Sequence, residues 1–86
     1  MGEKAIATSS EFSYEYAYLI NKPFLLGEPA IAKNAWWVIQ YAKEILKGRF
    51  ELGEPTIKFH HHRNLYTDAM KKLKTPVNWN EVKNPY

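Results

Sequence analysis

Gly27-Glu28-Pro29-Ala30-Ile31-Ala32-Lys33 restates Gly2-Glu3-Lys4-Ala5-Ile6-Ala7-Thr8, and Gly53-Glu54-Pro55-Thr56-Ile57 opens a third version of the phrase. The match extends beyond these openings. At an offset of 25, Phe12 pairs with Trp37, Tyr16 with Tyr41, Ala17 with Ala42, Ile20 with Ile45 and Lys22 with Lys47. Self-similarity at such a period constrains the fold more than any other feature of the chain. Each unit of a stacked repeat leaves an apolar face for its neighbour to cover. The units fall at about residues 2–26, 27–52 and 53–79, with a capping tail at 80–86, and together form one domain over 1–86.

The middle unit states the local design. Asn34 is an N-cap, Ala35 to Lys47 contains neither Pro nor Gly, and Gly48 suits a left-handed helix end. At about 100° per residue, Ala35, Val38, Ile39, Ala42, Ile45 and Leu46 share one face, widened by Trp37 and Tyr41. In the first unit, Ser9 or Ser10 caps a helix running to about Asn21, and Pro23 stops it. In the third, Leu65, Tyr66, Ala69, Met70 and Leu73 keep helical spacing from about His61 to Lys74. Aligning Ala69 and Leu73 with Ala42 and Leu46 takes an offset of 27, as if one residue were added near His60-His61-His62.

Pro29 and Pro55 suit first helical positions, so Glu28 to Lys33 reads as a short helix. Residues 49–59 also alternate like a hairpin around Gly53. The Ala-rich phrases of the other units favour helix. Trp79 and Val82 are expected to fold one more turn over the end of the stack. The fold class is therefore all-α: three long helices alternating with short Gly-Glu-Pro helices in a small solenoid-like bundle. Its expected core is Ile6, Phe12, Tyr16, Ala17, Ile20, Ile31, Trp37, Val38, Tyr41, Ala42, Ile45, Phe50, Ile57, Leu65, Ala69 and Leu73.

From Gly27 through Tyr41-Ala42-Lys43 to Leu46-Lys47-Gly48-Arg49-Phe50-Glu51-Leu52-Gly53-Glu54, the chain resembles a known tandem repeat. This is the helical repeat of about 25 residues, of the type GEPAIAKS-EYSY-YARDVLKGRFELGE, common in bacteriophage and some bacterial proteins. The resemblance covers about residues 2–58. It implies a helical fold and a phage origin, and it carries no catalytic residue onto this chain.

Where the chain departs from that pattern, candidate function gathers. Trp36 stands where the repeat has a polar residue, among Gln40, Lys43 and Lys47 on the polar face. It is either covered by another part of the chain, such as the tail, or exposed as an interface anchor. Tyr18 occupies the angle that Lys43 takes in the second unit, which suggests that Tyr18 and Trp36 share a side of the stack. Trp36, Lys43, Lys47 and Tyr18 form the expected partner-binding set.

The alternative set is basic. Residues 53–86 carry six Lys or Arg against three acids, and residues 1–26 two against three. Arg63, Lys71, Lys72, Lys74 and Lys83, with Tyr66 and Trp79 nearby, combine positive charge with stacking surfaces, as single-stranded nucleic acid requires.

Other chemistry is not expected. The chain has no cysteine, which excludes disulfides and thiolate metal sites. Adjacent side chains on a helix diverge, so His60-His61-His62 reads as a helix-entry loop rather than a metal site. Glu3, Glu28 and Glu54 recur once per unit, which suits a structural role beside a helix N-terminus or a neighbouring Arg49. No nucleophile triad, phosphate loop or zinc-hydrolase motif is present, and no cofactor is expected. Nothing approaches the roughly 20 apolar residues of a membrane span, and no apolar run follows the opening charges as in a signal peptide. The expectation is a non-enzymatic, phage-encoded protein in a host cytoplasm. It would bind and modulate a host protein complex, or alternatively bind nucleic acid.

Overall fold

The first long helix, α1 (Ser10–Ile20), begins where the Ser9 hydroxyl accepts the Phe12 N–H at 3.3 Å. It ends at Asn21, whose φ of 55° reverses the chain two residues before Pro23. A 3₁₀ turn (Leu25–Gly27) leads into the short α2 (Glu28–Ile31), with Pro29 in its first turn. Then α3 (Ala35–Gln40) starts with the Asn34 side chain accepting the Trp37 N–H at 3.2 Å. It runs on through a π turn (Tyr41–Leu46) to Lys47. Two further α-helices follow, the short α4 (Glu54–Ile57) and the long α5 (Arg63–Lys72), and a 3₁₀ turn (Trp79–Glu81) closes the chain. The computed structural model describes residues 9–84, and among them the regular elements are all helical. The short helix expected around Ala5-Ile6-Ala7, the core residue Ile6 and Glu3 lie outside the described residues.

Several local expectations are met. Residues 49–59 contain the short helix rather than a hairpin. The tail makes its extra turn, with Val82 buried and the Trp79 indole N–H donating to the Thr67 hydroxyl at 2.9 Å. Others need correction. The left-handed residue after α3 is Lys47 (φ 51°), not Gly48. The π turn widens the helix, so Gly48 N–H reaches back six residues to the Ala42 carbonyl at 3.2 Å and the reversal falls one residue early. The last long helix starts at Arg63 rather than His61, because the histidines form a turn closed by Arg63 N–H on the His60 carbonyl at 3.0 Å.

The core contains Ala17, Ile31, Val38, Tyr41, Ala42, Phe50 and Ile57, as the periodicity predicts. On α5 the predicted face is wrong. Tyr66 and Met70 are buried, whereas Leu65 is 49% exposed and Ala69 and Leu73 pack at the margin. The cause is register. Tyr66 takes the place of Tyr41, an offset of 25 rather than 27, so the third segment is one residue shorter than the second rather than one longer. An error of one or two positions rotates a helix face by about 100–200°, enough to exchange buried and exposed residues. Ile20 is only half-buried and stands outside the core cluster, and Phe12 is 56% exposed. Its counterpart Trp37 rests on Tyr14 of α1, with ring centres 5.1 Å apart, and among the described residues no long helix precedes α1 to cover Phe12 in the same way.

Candidate functional site

Two junctions between short and long helices hold the fold in place. At the first, the Tyr41 hydroxyl donates to Glu28 Oε2 at 2.6 Å and accepts the Phe24 N–H at 3.0 Å. At the second, the Tyr66 hydroxyl donates to Glu54 Oε2 at 2.6 Å and accepts the Phe50 N–H at 2.8 Å. Each junction closes around a glycine. A Cβ on Gly27 would lie 2.6 Å from the Phe24 ring, and one on Gly53 2.6 Å from a Val38 methyl. Burial, reinforced by the carboxylate contact, raises the pKa of both tyrosines above the ordinary phenol value. Glu28 and Glu54 are therefore structural acceptors, in keeping with the structural role expected of them. Sequence reasoning missed their tyrosine partners, although the intervals Glu28 to Tyr41 and Glu54 to Tyr66 are nearly equal.

These junctions set α3 beside α5 and leave Trp36 between two hollows. Trp36 is 47% exposed. One hollow runs between the long helices, lined by the apolar Ile39, Leu65 and Leu73 together with Lys43, Lys72 and Asp68. The other joins Trp36 and Lys33 to His60, His61 and His62. Of the two outcomes expected from sequence, Trp36 takes the exposed one; the His62 ring meets the indole edge-to-face at 6.3 Å without covering it. The tail packs elsewhere, with Trp79 against Tyr66 at 5.7 Å.

The structure regroups the sequence candidates. Trp36 and Lys43 are brought together, and Lys72 from the basic set joins them. Tyr18, 63% exposed, lines a separate hollow with Tyr14, Glu15 and Leu19, so the two aromatics do not share one site. Lys47 stands exposed at the helix reversal and is not among the residues that line either hollow. Of the remaining basic residues, Arg63 donates to the Lys58 carbonyl at 2.9 Å and lies over the Trp79 ring. Lys83 lines a different hollow beside Arg49, Glu51 and Glu81. Lys71 and Lys74 are exposed. Sequence spacing could not have shown that Lys33 and the histidines border Trp36, since the turns between α2, α3 and α4 bring them there.

The histidines form the helix-entry turn expected of them, but they converge where divergence was expected. Their rings do not diverge, because His60 to His62 form a turn rather than helix. Ring centres lie 4.3 Å (His60–His61), 4.1 Å (His61–His62) and 5.1 Å (His60–His62) apart. Desolvation, then the neighbouring imidazoles of His61 and His62, holds the His60 pKa below its ordinary value. His60 Nδ1 accepts the His62 N–H at 3.1 Å.

No protein-family model, curated protein or solved structure matches this chain. Within the described residues, no helix is long and apolar enough to cross a membrane.

Proposed function

We propose that this protein is a non-enzymatic binding module whose Trp36 face takes single-stranded nucleic acid. The observation that carries the reading is a half-exposed indole with lysines on both sides: Lys43 and Lys72 in one hollow, Lys33 and the histidines in the other. A base stacks on an exposed aromatic whatever its identity, contributing about 1–3 kcal/mol, while lysines on either side meet the flanking phosphates. The basic C-terminal segment contributes through Lys72 rather than as a continuous patch.

Fluorescence titration with a short oligothymidylate tests this. Binding is expected to quench tryptophan emission and to weaken as salt rises. With three lysines on phosphates, log affinity should fall against log salt with a slope of about −2. Trp36→Ala should lower affinity by about 1–3 kcal/mol with unchanged helicity by circular dichroism. An oligonucleotide that does not bind at low salt sinks the reading.

A second reading is favoured by the apolar Ile39, Leu65 and Leu73, which line the same hollow as Trp36. There the same face docks a host protein, with Trp36 as its anchor. Salt then changes affinity little, and nuclease does not release the partner. The twice-used Tyr–Glu junction supports a helical repeat stack. The sequence resemblance supports a phage origin and, with it, work in the cytoplasm of the host cell.

A further inference from the structure

We propose that His60, His61 and His62 bind one first-row divalent transition ion, such as Zn²⁺, through three imidazole nitrogens. One ligand atom from each of the three lies within 4.8 Å of the other two. Nitrogens bound at about 2.0–2.1 Å to a tetrahedral ion sit roughly 3.3 Å apart, so modest side-chain rotation closes the set.

The backbone explains why three consecutive residues can converge. After α4 ends, His60 N–H bonds to the Ile57 carbonyl at 3.1 Å. Arg63 N–H then bonds to the His60 carbonyl, and Leu65 N–H to the His62 carbonyl at 3.0 Å. Arg63 also ties its guanidinium to the Lys58 carbonyl. The turn is thus held at both ends before any ion arrives, which reduces the ordering cost of binding. His62 also meets the Trp36 ring in an edge-to-face pair, while His61 is exposed, with its ring stacked on that of His60.

The donor set selects the ion. The hollow offers imidazoles, with Asn34 and Thr56 beside them and no carboxylate among its lining residues. Magnesium and calcium prefer carboxylate and carbonyl oxygens, whereas Zn²⁺, Ni²⁺ and Cu²⁺ suit imidazole. Ligation through His60 Nδ1 gives up its hydrogen bond from the His62 N–H, and ligation through Nε2 requires the other tautomer. Three protein ligands would leave a coordination position open to an anionic group, and Lys33 lines the same hollow.

The test uses the full chain, freed of metal by chelator and titrated with Zn²⁺ calorimetrically and with Co²⁺ by visible absorption. One ion per chain is expected, with a dissociation constant on the order of micromolar, and Co²⁺ should develop a d–d band. His61→Ala, at an exposed position, should weaken binding by roughly 10–100-fold or more, since even outer-shell partners of ligands contribute that much. Helicity in that variant serves as the folding control. His60→Ala and His62→Ala should weaken binding by comparable factors. Affinity weaker than about 1 mM, affinity unaffected by His61→Ala, or one ion shared by two chains in sedimentation overturns the proposal. None of these readouts involves an oligonucleotide, so the metal site and the nucleic-acid reading fail separately.

Discussion

The two Tyr–Glu junctions share their hydrogen bonds but differ in the residue just before the phenylalanine: Pro23 at the first, Arg49 at the second. Arg49 Nε donates to Glu54 Oε2 at 2.9 Å and its terminal nitrogen to Oε1 at 2.7 Å. Glu54 is 1% exposed, whereas Glu28, with Pro23 in that place, stays partly open to solvent. The contrast is physical. A carboxylate that keeps some water can be held by a phenol, but one removed from water needs a cation to offset its lost hydration. The contact also raises the Arg49 pKa, first through the hydrogen bond to Glu54, so the guanidinium stays charged throughout the accessible range.

Removing Arg49 should therefore produce the largest stability difference between the junctions. Arg49→Met leaves Glu54 buried with a phenol as its remaining donor, and is expected to cost about 3 kcal/mol, the low end for a broken buried pair, because Arg49 is itself part-exposed. Urea denaturation measures this. A loss below about 1 kcal/mol would place the pair with ordinary surface bridges and erase the distinction.

Next come the phenols. Tyr66→Phe leaves the buried Phe50 N–H without its acceptor and removes one of the two donors to Glu54 Oε2, and should cost about 2–3 kcal/mol. Tyr41→Phe should cost about 1–2 kcal/mol, because water can reach Glu28. The same groups predict an alkaline limit. Both phenols have folded pKa values raised above the unfolded value of about 10, so below that pH both states hold the proton and nothing changes. As pH rises past about 10, the unfolded chain releases its protons first and stability falls. The double variant Tyr41→Phe, Tyr66→Phe should flatten that decline between about pH 9 and 11, and an unchanged slope would remove the tyrosines as its cause.

The smallest effect sharpens the comparison from the other side. Pro23→Arg places a guanidinium where the second junction has Arg49. Glu28 is already partly hydrated, so the new pair should add less than about 1 kcal/mol. Releasing the proline constraint removes about 0.4–1 kcal/mol. A thermal midpoint within a few degrees of the parent is expected. A marked rise would mean that the first junction lacks a cation it could use.

The sequence alone determined the helical class, the cap at Asn34 and one at Ser9 or Ser10, the proline-led short helices and most of the core of α3. Those features follow from local rules: spacing along one helix, a side chain reaching its own first turn, a missing N–H where none is needed. Glu3 also precedes Tyr16 by the interval that separates Glu28 from Tyr41, though Glu3 lies outside the described residues. Tertiary structure decided what depends on register between elements. The short third interval set which face of α5 is buried, placing Tyr66 inward and Leu65 outward, and a single sequence read at the wrong offset gives the opposite answer. The turn after α4 decided that three adjacent imidazoles converge, since rules for helical side chains do not govern a turn. The candidate site was legible as Trp36 and Lys43. Its other members come from segments 3 to about 36 residues away, and only packing could select Lys72 over Lys71 or bring Lys33 and the histidines to the same indole.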